Sequence, residues 1–196
     1  GQEMLTYILD SLKGAGIDRP IVVVGYEGQQ VIDLVQDNAV IAWQKEQLGT
    51  GHAVQMALPQ LARIQGHIIV TNGDVPLISS EFFRSLTEER ERTGASAVVA
   101  TMILEKPKAY GRIKRDNEGN IIEIVEMRDC SPQELKIQEV NTGTYCFDSS
   151  LLKKFIPMLK TDNAQGELYL TDIIRYMIEG DYKVRCLVTQ DPEEFL

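Results

Sequence analysis

The stretch "PIVVVGYEGQQVIDLVQDNAVIAW" (residues 20–43) decides the fold. Its opening, "PIVVVGY" (20–26), is a short β-branched run of the kind shown by a strand covered on both faces. "EGQQVIDLVQD" (27–37) reads as a helix and "AVIAW" (39–43) as a second strand. Strand, helix and strand in succession make a βαβ unit, and the same alternation continues outward in both directions. Upstream, Met4, Ile8, Leu9 and Leu12 recur at helical spacing, and Gly14 and Gly16 close that segment as a C-cap does. Downstream come "HAVQMALPQLA" (52–62, helix), "HIIVTNGD" (67–74, strand), "SSEFFRSLTEERERTG" (79–94, helix) and "SAVVATMIL" (96–104, strand). The pattern predicts a three-layer α/β domain with a mixed, mostly parallel sheet.

After Lys106 the texture changes. "YGRIKRDNEGNIIEIVE" (110–126) reads as a hairpin turning at Asp116 to Gly119, and "QEVNTGTYCFD" (138–148) as a further strand. Helices near 149–159 and 168–179 and a strand at "YKVRCLV" (182–188) follow. Residues 107–147 are expected to form an inserted β sub-lobe facing the ligand-binding edge.

The 196 residues suit one domain with a sizeable core. A net charge of -9 with no basic cluster argues against binding to nucleic acid or an anionic membrane, so an anionic ligand must be held locally. Cysteines 130, 146 and 186 are odd in number and widely spaced, which suggests neither a zinc site nor a disulfide framework and points to a cytoplasmic location. The opening residues carry no signal-peptide pattern, and no run approaches a membrane span.

Three clusters carry candidate chemistry. In "QLGTGHAVQ" (47–55), Gly49 and Gly51 flank Thr50 ahead of a helix; this serves either close approach of a ligand to bare backbone or a tight turn. The spacing fits neither a dinucleotide fingerprint nor a P-loop. In "HIIVTNGDVPLI" (67–78), Asn72, Gly73 and Asp74 stand at the carboxyl end of a strand, where open α/β sheets bind ligands. Asp74 suits a Mg²⁺ that takes its other ligands from phosphates and water, or alternatively an Asx turn beside Pro76. Finally, "YGRI", "IVE", "VNTG" and "NAQGELYLTD" place Glu126, Asn141, Tyr169 and Thr171 at strand ends or a helix start. A carboxylate, an amide and hydroxyls are the groups a sugar's hydroxyl and N-acetyl functions require, although taken singly each reads more readily as structural: Glu126 as an exposed strand residue, Asn141 as a turn former and Tyr169 as helix-start packing. His52 and His67 lie on different elements and suggest no histidine chemistry.

Taken together, "WQKEQLGTGHA", "NGDVPLI", "YGRI", "IVE", "QEVNTGTY" and "NAQGELYLTD" resemble, over essentially the whole chain, the uridylyltransferase domain of bacterial N-acetylglucosamine-1-phosphate uridylyltransferases, members of the sugar-nucleotide transferase superfamily. The resemblance implies a Rossmann-like nucleotidyltransferase fold, with residues 1–196 forming a uridylyltransferase domain truncated at both ends. It implies uridylyl transfer from UTP to N-acetylglucosamine 1-phosphate, giving UDP-N-acetylglucosamine and pyrophosphate for cell-wall (peptidoglycan) synthesis. Gln44 would meet the uracil edge, Gly49 and Thr50 the base and ribose, and Asn72, Gly73 and Asp74 the ribose and phosphate path, with Asp74 holding Mg²⁺. Gly111, Glu126, Asn141, Tyr169 and Thr171 would hold the amino sugar. Family members commonly continue into a β-helix that trimerises. Two alternatives stay open: a non-catalytic nucleotide-sugar binding module and a pyrophosphorylase for another hexose 1-phosphate.

The family's glycine-rich triphosphate loop, its first strand and a second metal-ligand asparagine have no counterpart in this sequence, and Arg128 stands near a position where the family often has lysine. The strands next to the missing one should therefore lack a partner. Residues 1–196 alone are expected to bind UTP weakly and to turn over little. A coupled pyrophosphate-release assay checks this, and ordinary turnover would refute it.

Overall fold

A computed structural model describes residues 4–195 of the chain. Strands β1 (Ile21–Val24) and β2 (Val40–Trp43) pair in parallel, with Ile21 opposite Val40 and Val24 opposite Trp43, and helix α2 (Gly28–Val35) forms the crossover between them. The βαβ unit read from residues 20–43 is thus present. Helix α1 (Met4–Gly14) precedes it, burying Ile8 and Leu12 on one face. The helix expected over 52–62 breaks at Ala57 into α3 (Thr50–Met56) and α4 (Leu58–Leu61). Pro59 lacks an amide hydrogen, so it is accommodated only in the first turn of a new helix.

The main sheet is built around one long strand. β7 (Glu139–Asp148) pairs antiparallel with β4 (Ala97–Ile103) along one edge. Along its other edge it meets β5 (Arg112–Arg115) near its start, at Val140, and β3 (His67–Val70) near its end, from Tyr145 to Asp148. β6 (Ile121–Val125) completes the hairpin with β5, and β8 (Val184–Val188) pairs parallel with β4. β3, β4 and β8 therefore point one way and β7 the other, so the sheet is mixed. The hairpin expected over 110–126 extends this same sheet through β7.

Helix α5 (Ser80–Thr93) starts where the Ser79 hydroxyl accepts the Phe82 amide (3.1 Å) and stops at Gly94 in the left-handed conformation. α6 (Ser149–Phe155) is capped by the Asp148 carboxylate, which accepts from the Ser150 and Leu151 amides. α7 (Asp172–Glu179) begins later than the 168 expected, because residues 163–170 are held in a loop described below. β4 is buried on both faces: Ala97 and Val99 join Tyr145, Phe147, Ile173 and Met177, while Val98, Ala100 and Met102 join Ile8, Ile78, Phe83 and Leu86. This two-sided burial is what makes the domain three-layered.

The strands nearest α1 depart from a single continuous sheet. Among the described strands β1 bonds only β2, and β3 bonds only β7. Between them lies an apolar cavity of about 410 Å³, bordered by Ile21, Val22 and Val23 on one side and Ile68, Ile69 and Val70 on the other. Leu5, Ile8 and Leu9 of α1, with Val54 of α3, Leu61 of α4 and Ala57 between them, also line it. Among the described residues no strand lies between β1 and β3. Strand amides that face such a slot lack a ladder bond, so hydrogen exchange of β1 and β3 is expected to run well ahead of exchange in β4 and β7. Equal protection of all four strands by amide-exchange NMR would show the edges to be covered.

Candidate active site

The glycine loop does not stand alone. The Leu168 amide donates to the Leu48 carbonyl (2.7 Å), and the Gly51 amide donates to the Leu168 carbonyl (2.7 Å), so the two loops meet backbone to backbone. The Thr50 hydroxyl accepts the Leu170 amide (3.1 Å). A Cβ at Gly49 would lie 2.7 Å from the Leu168 carbonyl oxygen, and one at Gly51 2.8 Å from it. Gly49 also has φ +105°, a conformation side chains avoid. Much of the bare backbone at 49–51 is therefore required by the loop at 167–170. The expectation that the helix-start amides are free for a ligand is corrected for Gly51, whose N–H is already donated.

Gln44 follows β2 directly. Its amide nitrogen donates to the Gly49 carbonyl (3.1 Å) and to His52 Nδ1 (3.1 Å). Because a primary amide nitrogen only donates, His52 must accept through Nδ1 and carry its proton on Nε2. The Gln44 carbonyl oxygen is left without a hydrogen-bond partner among the described residues. Beside it opens a cleft lined by Gly25, Tyr26, Trp43, Lys45 and Gln47, with Tyr26 84% and Trp43 46% exposed.

A bulge in β7 organises the other end. Val99 stands opposite Tyr145 and Thr101 opposite Asn141, so Thr142, Gly143 and Thr144 face only Ala100. The bulge falls where β7 has left β5 and not yet met β3. Gly143, at φ +79°, packs so closely on the Asn72 side chain that a Cβ would collide with its amide nitrogen. Asn141 accepts the Gly143 amide (3.1 Å) and donates to the Tyr145 hydroxyl (2.6 Å), while its backbone N–H reaches the Gly111 carbonyl (2.9 Å). A Cβ at Gly111 would in turn lie 3.4 Å from Glu126 Oε2. The Thr171 hydroxyl donates to Glu126 Oε1 (3.2 Å). Gly111, Glu126, Asn141 and Thr171 are thus one contiguous group, and Asn72 joins it through Gly143. Burial pushes the Glu126 carboxyl above its usual range; the Thr171 bond opposes this, and the charges of Asp129 and Asp172 add to it.

Tyr169 is buried, and its hydroxyl accepts from Gln165 Nε2 (2.8 Å) and donates to Asp129 (3.2 Å). Asp74 and Gly73 occupy an exposed turn after β3. The Asp74 carboxylate makes no hydrogen bond or ion pair with any described residue, so the Asx-turn alternative is not realised. Among the described residues no three His, Cys, Asp or Glu side chains cluster as a metal site. Arg128 is exposed in the 3₁₀ turn Met127–Asp129.

Hydrogen bonds join the Gln44 side chain to Gly49, residues 48–51 to 168–170 and the Thr171 hydroxyl to Glu126, while close packing of Gly111 on Glu126 and of Gly143 on Asn72 brings Asn141 and Asn72 into the same neighbourhood. A family model described as nucleotidyl transferase matches residues 1–192. The chain belongs to the nucleotidyl transferase family. Its relatives include proteins named bifunctional protein GlmU from Carboxydothermus hydrogenoformans (43% identical, covering 97% of this chain and 42% of that protein) and Heliobacterium modesticaldum (41%, 100% and 43%). Another, of the same name, comes from Lactobacillus johnsonii (40%, 100% and 42%). This nucleotidyl transferase thus spans less than half the length of these relatives. None of its described helices is long and apolar enough to cross a membrane.

Reading the sequence missed His52, which holds Gln44, and Asp129, which holds Tyr169. His52 was visible inside "LGTGHA", but its partner lies eight residues back. Nothing local marked Asp129. Gly49→Ala combines left-handed strain with a backbone clash and should cost this nucleotidyl transferase about 2 kcal/mol, or about 4–8 °C in thermal midpoint. Gly73→Ala, with only Leu5 Cδ1 at 4.0 Å, should leave the midpoint nearly unchanged. Equal effects of the two substitutions in thermal unfolding would refute the packing account.

Proposed function

We propose that this chain is the part of a bacterial enzyme that transfers a uridylyl group from UTP to N-acetylglucosamine 1-phosphate, acting in cell-wall precursor synthesis in the cytoplasm. The observation that carries the reading is the run of hydrogen-bonded and closely packed groups from Gln44 to Asn72, combining a base-edge acceptor with a carboxylate, amide and hydroxyl cluster. The curated relatives, named bifunctional protein GlmU, support the same choice of reaction.

Each group has a task set by its surroundings. With its amide nitrogen engaged by Gly49 and His52, Gln44 offers its carbonyl oxygen to a donor such as uracil N3–H, which cytosine lacks. Thr50 and the Gly49 backbone border the base and ribose, and Asn72 and Gly73 the phosphate path. Glu126 accepts from sugar hydroxyls, while Asn141, Tyr169, Thr171 and the Gly111 backbone complete the amino-sugar pocket. A phosphate oxygen of the sugar phosphate attacks the α-phosphorus of UTP; that P–O bond forms as the bond to the bridging oxygen breaks, and pyrophosphate leaves. The nucleophile is already an anion, so positioning and charge neutralisation supply most of the acceleration.

The reaction calls for a divalent cation, Mg²⁺ by the resemblance. The unpaired, exposed carboxylate of Asp74 at the end of β3 fits one that takes its remaining ligands from phosphates and water. When bound, such an ion would neutralise charge on the phosphates.

Titration of the ¹⁵N-labelled chain tests the reading, since NMR detects weak binding. UDP should shift amides at 44–51, and UDP-N-acetylglucosamine should shift these together with 111, 126, 141 and 169–171. Absence of shifts, or shifts confined to another face, would overturn the assignment. The raised Glu126 carboxyl gives a second test. Its contribution to stability is present below the ordinary glutamate pKa of about 4.3 and is lost as pH rises through its higher folded value. The thermal midpoint of the unsubstituted chain relative to Glu126→Gln should therefore fall as pH rises from about 4; a rise would refute the burial argument.

A further inference from the structure

We propose that Asp129 is a positioning residue that fixes the loop 163–169, and with it the Tyr169 hydroxyl, at the sugar end of the site; this deepens the functional reading above and rests on it. The loop is folded internally by Asn163, whose Oδ1 accepts the Gln165 and Glu167 amides (both 3.2 Å) and whose Nδ2 donates to the Glu167 carbonyl (2.6 Å). Those bonds shape the loop without deciding where it lies. Its place is set by two outside attachments. One is the Leu168 backbone on Leu48 and Gly51, which ties it to the glycine loop. The other is Asp129, whose Oδ1 accepts the Ala164 amide (2.9 Å) and whose Oδ2 accepts the Tyr169 hydroxyl (3.2 Å), so one carboxylate grips both ends.

Among the described residues, Asp129 makes the hydrogen bonds that join this loop to the hairpin carrying Glu126. The Asp129 amide itself donates to the Glu126 carbonyl (2.9 Å), so the grip originates one turn after the carboxylate that the sugar would meet. A charged acceptor strengthens both bonds. Asp129 is exposed, so replacing it removes the attachment without opening the core. Loss of the grip frees the Tyr169 end of the loop and leaves the Leu168 ladder, and hence the nucleotide end, in place.

The test uses Asp129→Ala and Asp129→Asn in the full chain. In Asp129→Ala, amide exchange at 164–167 and 169 should rise about tenfold with 48–51 and 168 unaffected, and the Kd for UDP-N-acetylglucosamine should rise about tenfold while that for UDP moves less than about twofold. Asp129→Asn, which keeps an oxygen for the Ala164 amide, should recover part of both effects. Unchanged exchange at 164–167 and 169, or equal weakening of both ligands, would overturn the proposal. If the unsubstituted chain binds UDP and UDP-N-acetylglucosamine alike, the functional reading fails, and exchange alone still decides whether Asp129 anchors the loop.

Discussion

Two backbones that meet without side chains between them govern the site. Leu168 donates its amide to the Leu48 carbonyl and accepts the Gly51 amide, both at 2.7 Å, a separation that tolerates nothing larger than hydrogen on Gly49 or Gly51. From that contact follow the orientation of Gln44, whose nitrogen is drawn to the Gly49 carbonyl, and the direction in which residues 169 and 171 leave for the opposite end. Two groups of polar side chains on segments more than a hundred residues apart in sequence, proposed to meet the base and the sugar, are thereby set by one short ladder. Hydrogen bonds in such a ladder are individually modest, and it is the close approach that makes them specific.

β7 plays the corresponding part on the other side. A strand that bonded one partner along its whole length would bury its middle uniformly. Because β7 trades β5 for β3 and bulges between them, Gly143 leaves the regular ladder and packs on Asn72, next to Asn141, which still stands opposite Thr101. The result is a polar cluster resting on a two-sided apolar core. Glu126 is the group most affected: it is half-buried, holds a single hydroxyl donor, and stands near two other carboxylates, a setting that favours filling by a ligand rich in hydroxyls.

The sequence was informative where a signal was local. The alternation of apolar runs with helical spacing placed nearly every strand and helix, and the β-branched run at 21–24 paired as a βαβ unit should. Ser79 and Gly94 bounded α5 as capping chemistry requires. The split at Ala57 was legible in Pro59 but masked by the surrounding apolar periodicity. Long-range causes were hidden. "LGTGHA" announced a need for bare backbone without naming Leu168 as its reason, and nothing in "NTG" revealed a bulge flanked by two different strands. The grip of Asp129 on Ala164 and Tyr169 spans 35 and 40 residues, and no periodicity reports on a pairing of that kind.

Trp43 is the only tryptophan in the chain, and it stands half exposed beside Gln44, its ring against Gly28, where a Cβ would come within 3.0 Å of Cζ3. Illumination at wavelengths that tyrosine does not absorb therefore interrogates one place in the molecule. The indole's emission colour follows how much water reaches that ring, so the protein carries an unlabelled optical gauge of whatever settles next to Gln44.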